Sequence, residues 1–238
     1  MQKKFYFFFT VLLLIGIVFT VKTAQANRQS MLTDADVLRE SVIILDAGHG
    51  GCDGGTVASD GTVEKEINLS VVKKIDAVCK AAGIQTVLTR TDDRSIHDPE
   101  ITSVRKQKIS DIHNRLRIME QTENSIFVSI HQNHFDRSKF WGAQVFYSGN
   151  DPQSKILAQS IQNAVVQSIQ PENTRTIKRS GTEIYLLYHA VRPAVMVECG
   201  FMSNPDELAL LKTDVYRQKL ALTIFNGIQN YRENTEVV

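Results

Sequence analysis

His49 stands in the run DAGHGGCDGG, with Gly48 before it and Gly50 and Gly51 behind it. An imidazole can bind a metal or shuttle a proton, and glycines let the backbone turn tightly and leave space around the ring. A histidine in such a turn is also an ordinary hydrogen-bonded turn residue, so His49 alone decides nothing. A second histidine, His131, ends the apolar run SIFVSIHQN, on the same face as Ser129 and Asn133 and opposite Val128 and Ile130. Glu198 ends a third apolar run, AVMVE, where burial without a partner would be costly. Glu64 opens the helical pattern that follows the glycine turn. Two histidines and a carboxylate are a common ligand set for a catalytic zinc with one position left open, and the remaining glutamate is then free to act as a base. The residues alone do not say which glutamate does which. The same four side chains can also be scattered structural polar groups.

The elements around them bring the four together. VIILD is a continuous apolar run, as in a strand buried on both faces. In EKEINLSVVKKIDAVCKAAG, Ile67, Val71, Ile75 and Val78 recur at helical spacing up to Gly83, and IQTVLTR follows as a second strand. Residues 103 to 122 read as a helix with Ile109, Ile112, Leu116 and Met119 on one face. SIFVSIH and GAQVFYS read as strands, DPQSKILAQSIQNAVVQSI as a helix, and EIYLL and AVMVE as two more strands. NPDE opens a short helix with Asn204 as cap, Pro205 at the first position and Glu207 placed to close a capping box. A final helix carries Tyr216, Leu220, Ile224, Ile228 and Tyr231 on one side. This alternation predicts a single α/β domain, a mostly parallel central sheet with helices on both faces. Sites in such sheets gather at the carboxyl ends of the strands, where His49, His131 and Glu198 fall.

Composition narrows the function classes. The chain has 238 residues, room for one sizeable domain. Residues 1–26 read as an export signal or an uncleaved membrane anchor: Lys3 and Lys4, a long uncharged apolar run, and an A-x-A site at Ala24 and Ala26. Residues 27–41 are a polar lead, 42–232 the catalytic domain and 233–238 a tail. The formal charge of the whole chain is +1; without Lys3, Lys4 and Lys22 the remainder has 24 basic and 26 acidic residues, a balance of −2. No basic excess is left to hold nucleic acid or an anionic membrane surface. Cys52, Cys79 and Cys199 form no C-x-x-C pair, and an odd count in an exported protein argues against a disulfide framework.

The successive segments DAGHGGCDGG, EKEINL, LTRTDD, FVSIHQN and PAVMVECGFMSN, in this order, resemble the signatures of the zinc-dependent N-acetylmuramoyl-L-alanine amidases of the bacterial cell wall. The resemblance runs from about Val42 to Tyr231. The short chain without a wall-binding module is similar to the spore-cortex, germination-specific amidases. The resemblance implies zinc held by His49, Glu64 and His131, with Glu198 as the catalytic glutamate. It implies hydrolysis of the amide between the lactyl group of N-acetylmuramic acid and L-alanine of the stem peptide, within peptidoglycan. It implies export to the compartment between the forespore membranes, and dependence on a membrane-held lipoprotein partner as a family-level option. Ala47 stands where many members have proline. Only QNHFDRSKF separates His131 from Trp141, so no internal blocking helix is expected.

Other residues carry weaker readings. His134, three after His131, should point elsewhere; His113 reads as a solvated or capping residue and His97 as a surface one. His189 could face the substrate. Arg90 and Arg192 could grip a stem-peptide carboxylate or form structural ion pairs. Two other classes compete with the zinc amidase: a cysteine hydrolase using Cys199 or Cys52, and a non-catalytic peptidoglycan-binding protein, which would be expected to lack one of the four site residues.

Overall fold

Strand pleating sorts the side chains of each central strand into two sets, and in this chain the two sets have different jobs. The structure, a computed structural model, describes Lys22 and residues 40–233. The signal or anchor reading of residues 1–26, nearly all of the polar lead and residues 234–238 lie outside the described residues, Lys22 apart. Six strands, β1 (Val42–Ala47), β2 (Thr86–Leu88), β3 (Ser125–Asn133), β4 (Gln144–Tyr147), β5 (Lys178–Arg179) and β6 (Ala194–Phe201), form one sheet in the order β2-β1-β3-β6-β4-β5. All neighbours pair parallel except β4 with β6. Six helices among the described residues complete the domain: α1 (Glu64–Ala81), α2 (Val104–Gln121), α3 (Pro152–Ser168), α4 (Tyr185–Tyr188), α5 (Pro205–Leu211) and α6 (Asp214–Glu233). No helix among them is long and apolar enough to cross a membrane.

On the first face, Ile43, Leu45, Ile126, Val128, Ile130, Val195 and Val197 pack against Ile67, Val71 and Ile75 of α1, Leu157 and Ile161 of α3, and Leu220, Ile224 and Ile228 of α6. Each such fully buried side chain contributes about 1.5–3 kcal/mol, so this layer is the main source of stability. On the second face, Ile44, Phe127 and Met196 pack against Met119 of α2 and Leu186 and Leu187 of α4. One step on toward the carboxyl ends, that second face turns polar: Asp46, Ser129, His131 and Glu198 follow Ile44, Phe127 and Met196 at a spacing of two. The alternation that builds the core therefore also lines up the site.

Three element readings need correction. EIYLL is not a strand: its residues enter the short helix α4, and consecutive Leu186 and Leu187 are both buried. A short apolar run does not separate strand from buried helix, and here the helical choice lets both leucines reach the second face. The sheet edge is instead the two-residue β5, which has no apolar signal. In α2, Ile109 is 47 % exposed and the buried positions are Ser110, Arg115 and Met119. The helix is rolled so that Arg115 reaches Asp46. In α5, Asn204 caps as expected, accepting from the backbone N–H groups of Asp206 and Glu207, but Glu207 does not close a box. Its carboxylate instead accepts from the N–H of Gly142 at 3.0 Å and of Phe201 at 2.8 Å.

Candidate metal centre and active site

The glycine turn after β1 is held from behind by two buried arginines. Arg115 donates to Asp46, to the carbonyl of Ala47 at 2.8 Å and of His49 at 2.7 Å, and through Nε to Asp111 at 2.6 Å. Arg90 donates to the carbonyls of Ala47, Gly48, Lys65 and Asp92 at 2.8–3.1 Å. The Arg90 side chain thus grips backbone, neither a substrate carboxylate nor an ion-pair partner. Asp46 also accepts from Ser129 at 2.6 Å and Thr89 at 2.8 Å. Burial would raise the Asp46 carboxyl, but the Arg115 charge and these hydrogen bonds hold it below the usual carboxylate range.

The turn held in this way puts His49 at φ 63°, a left-handed conformation that a side chain rarely adopts. From there its Nε2 lies 3.4 Å from Glu64 Oε1, and His131 Nδ1 lies 3.0 Å from the same oxygen. One ligand atom from each of His49, Glu64 and His131 fits within 4.8 Å of the others. Two glycines make room. A Cβ on Gly48 would fall 2.1 Å from His131 Nε2, and one on Gly55 would fall 2.6 Å from both Glu64 Oε2 and the His49 ring.

The surrounding groups orient His49 and Glu64, and Glu64 in turn holds His131. Asp53 accepts from or faces His49 Nδ1 at 2.8 Å, which leaves Nε2 toward the cluster, and is itself paired with Lys108 at 2.7 Å. Glu64 Oε1 also accepts from the N–H of Gln132 at 3.0 Å and from Asn68 Nδ2 at 3.2 Å, while Oε2 accepts from the N–H of Thr56 at 2.9 Å. Burial alone would raise the Glu64 carboxyl, but both histidines pull it far below its normal value. For His49, burial favours the neutral ring, yet Asp53 and Glu64 outweigh it and raise the imidazolium to about 9. The set fits a divalent metal: two imidazoles and one ionised carboxylate within 4.8 Å of one another, with His49 backed by Asp53 and Glu64 by Asn68, are the donors zinc takes in catalytic sites.

Two predictions follow from this shell. Asp53→Ala frees His49 to turn and should weaken zinc binding by about 10–100-fold with the fold retained, as titration with a competing chelator would show. Because a metal must displace the His49 proton, zinc affinity should rise about tenfold per pH unit up to about pH 9, with roughly one proton released at pH 7. Calorimetric heats at pH 7 that do not change with the buffer's ionisation enthalpy would contradict that.

Glu198 is the cross-strand partner of His131. Its Oε2 is buried without a hydrogen-bond partner. Burial pushes its carboxyl up to about 7, with the Glu64 charge adding to the rise and the histidines and Arg175 opposing it. A bound dication would pull it back down. A cleft of about 310 Å³ opens beside the cluster, lined by His49, His131, Met196 and Asp53, with Tyr185 and Glu183 at its α4 side.

The remaining sequence candidates separate cleanly. His189 is exposed and outside the cleft lining, but its ring packs on Tyr185 with centroids 4.3 Å apart, and His113 packs on the same tyrosine at 5.2 Å. Arg192 precedes β6, at the opposite end of the sheet from His131, and reaches the Thr122 carbonyl at 3.4 Å. His134 lines a separate surface cavity, and His97 bonds Ser95. Residues 134–143, between β3 and β4, contain no helix. All three cysteines are free. Cys199 is buried, and burial pushes its thiol well above the normal range, which disfavours a thiolate nucleophile. Exposed Cys52 has its thiol on Gln107, not on a histidine. Asp53, Asn68, Arg115 and Gln132 were not singled out in the sequence. Asp53 and Asn68 lie four residues from His49 and Glu64, a local signal; Arg115 and Gln132 carry none.

A parallel-sheet α/β domain with a histidine–glutamate–histidine cluster at its strand ends defines the class: an α/β hydrolytic domain with a candidate metal site. The chain belongs to the N-acetylmuramoyl-L-alanine amidase family, whose model matches residues 43–230. It is 31 % identical to the germination-specific N-acetylmuramoyl-L-alanine amidase of Bacillus subtilis over 97 % of this chain and 96 % of that one. Among solved structures, the CwlD amidase of Clostridioides difficile, in complex with the GerS lipoprotein, superposes with a TM-score of 0.77 at 39 % identity, covering 80 % of this chain and 98 % of that one. The AmiC2 amidase of Nostoc punctiforme does so with a TM-score of 0.67 at 28 % identity, covering 81 % and 97 %. The protein is an enzyme, an amidase acting on peptidoglycan.

Proposed function

We propose that the protein is a zinc-dependent amidase of the spore cortex, exported from the cytoplasm, that cuts the bond between N-acetylmuramic acid and L-alanine in preparation for germination. The observation that carries the metal-dependent reading is the convergence of His49 and His131 on one carboxylate oxygen of Glu64, with Glu198 directly across the strand pair from His131. The germination role and the export reading draw support from the Bacillus subtilis relative, and a membrane-held lipoprotein partner from the Clostridioides difficile complex.

His49, Glu64 and His131 would hold the zinc. When bound, the ion supplies Lewis acidity toward the amide carbonyl and the attacking water. Glu198 takes the water's proton on a carboxylate oxygen and returns it to the amine nitrogen of alanine as the C–N bond breaks, so one residue serves as base and then acid. The Asp53–His49 and Asn68–Glu64 contacts keep the ligand side chains in one orientation through the cycle. Arg115 and Arg90 hold the backbone on which His49 rides.

The test is digestion of purified spore cortex and vegetative peptidoglycan with the zinc-loaded protein, following new alanine amino termini and intact muramic acid. Release of alanine-terminated peptides from cortex, abolished by a chelator and restored by zinc, is the expected result. Cleavage inside the peptide or the glycan, or cleavage indifferent to chelation, would overturn the reading.

A further inference from the structure

Across the second face of the sheet the site forms a row. Gly48 lies against His131, His131 pairs with Glu198, and Glu198 pairs with Gln144 of β4. The row continues into Arg175, whose Nη2 donates to Gln144 Oε1 and whose guanidinium lies 5.0 Å from the Phe201 ring centroid. Two residues along β4, Lys178 pairs with Phe146 and holds its ammonium 5.7 Å from that ring's centroid. Among the described residues neither cation has a carboxylate within 4 Å. The cleft on the other side of the cluster is different. Its lining holds four acids, Asp46, Asp53, Asp111 and Glu183, against Lys108 and Arg115, and both of those bases are already paired with the aspartates. The β4–β5 flank instead offers two cations without an ion-pair partner among the described residues, although Glu207 and Glu198 act on Arg175 and Lys178 acts on Glu183.

The two halves of the substrate differ in the same sense. The peptide half carries free carboxylates, while the acylated sugar half is neutral near the scissile bond. The amine that leaves must come within hydrogen-bond reach of Glu198, so the peptide half extends from Glu198 away from the histidine cluster. That direction leads over Gln144 to Arg175 and Lys178. The guanidinium bonds Gln144, the cross-strand partner of Glu198, and lies over Phe201 of the same strand as Glu198, so an extended peptide reaches it within about two or three residues.

We propose that Arg175 and Lys178 form the subsite that receives the carboxylates of the stem peptide, and so fix which end of the substrate points which way. The inference rests on Glu198 as the proton carrier. Its test uses the zinc-loaded protein, Arg175→Gln and Lys178→Gln singly and together, and two muramoyl peptides that differ only in free or amidated carboxylates. For the free acid the double variant should raise KM about tenfold, with kcat within about twofold, and should weaken calorimetric binding of the released peptide to the same extent. The amidated peptide should show no such change. Lys178 is exposed, so its variant keeps the fold; Arg175→Lys, checked by its melting temperature, should recover part of the loss. Equal losses on both peptides, an unchanged KM for the free acid, or a fall confined to kcat would each overturn the subsite. Loss of the proton carrier is read separately, as a collapse of kcat in Glu198→Gln on both peptides.

Discussion

Glu198→Gln should keep its zinc and lose turnover by about 10²–10⁴-fold, the range that general acid–base help supplies. The amide has the size of the carboxylate but cannot take the water's proton. Since the Glu198 Oε2 is buried and makes no hydrogen bond, no structural partner is lost with the charge. Glu64→Gln should behave in the opposite way and lose metal and activity together, because Glu64 is the anion on which both histidines converge. Elemental analysis and release of stem peptide from peptidoglycan, measured on both variants, separate the roles. Zinc lost from Glu198→Gln and kept in Glu64→Gln would mean that the two glutamates have been exchanged.

Arg115→Met should destabilise the fold by about 3–5 kcal/mol, because it leaves the Asp46 carboxylate buried beside a methionine without its ion-pair partner. Arg115 is 3 % exposed and Asp46 is fully buried, so solvent cannot take over the pairing. For a domain of this size such a loss lowers the melting temperature by roughly 10 °C. The native Asp46 carboxyl titrates below its unfolded value, so the stabilisation is complete above about pH 4 and fades as pH falls through the native pKa. The gap between wild type and variant should therefore narrow in acid. Removing both charges, in Arg115→Met with Asp46→Leu, should recover part of the stability. Zinc binding should weaken as well, since Arg115 also holds the His49 carbonyl. Equal melting temperatures for wild type and Arg115→Met near neutral pH would show that the pair does not support the turn.

What could be read from the sequence follows from which interactions are local. The strands that carry the site announce themselves because each is a continuous apolar run, and His49, His131 and Glu198 stand where those runs stop. Helix α1 was legible because Ile67, Val71 and Ile75 keep helical spacing against the first face. Helix α4 was not, since four residues give no period and its leucines suit either geometry. The second face was harder throughout. Arg115 reaches Asp46 across 69 residues of chain and Gln132 reaches Glu64 across 68, distances over which no spacing rule operates. For Arg90 the sequence leaves a substrate grip and a structural ion pair open, because only the fold shows the four backbone carbonyls around it. The separation of Glu64 from Glu198 as ligand and base came from resemblance, and geometry agrees only in placing Glu64 between the histidines.

The central claim is that the His49, Glu64 and His131 cluster holds the zinc on which amide cleavage depends. Its most direct measurement is the zinc content of the protein, purified without chelator and incubated with zinc, set beside its rate of stem-peptide release. Three protein ligands leave no redundancy, so wild type should bind about one zinc per chain, and His49→Ala, Glu64→Ala and His131→Ala should each lose both metal and activity. Full peptide release by protein that contains no zinc, or by any of the three ligand variants, would contradict it.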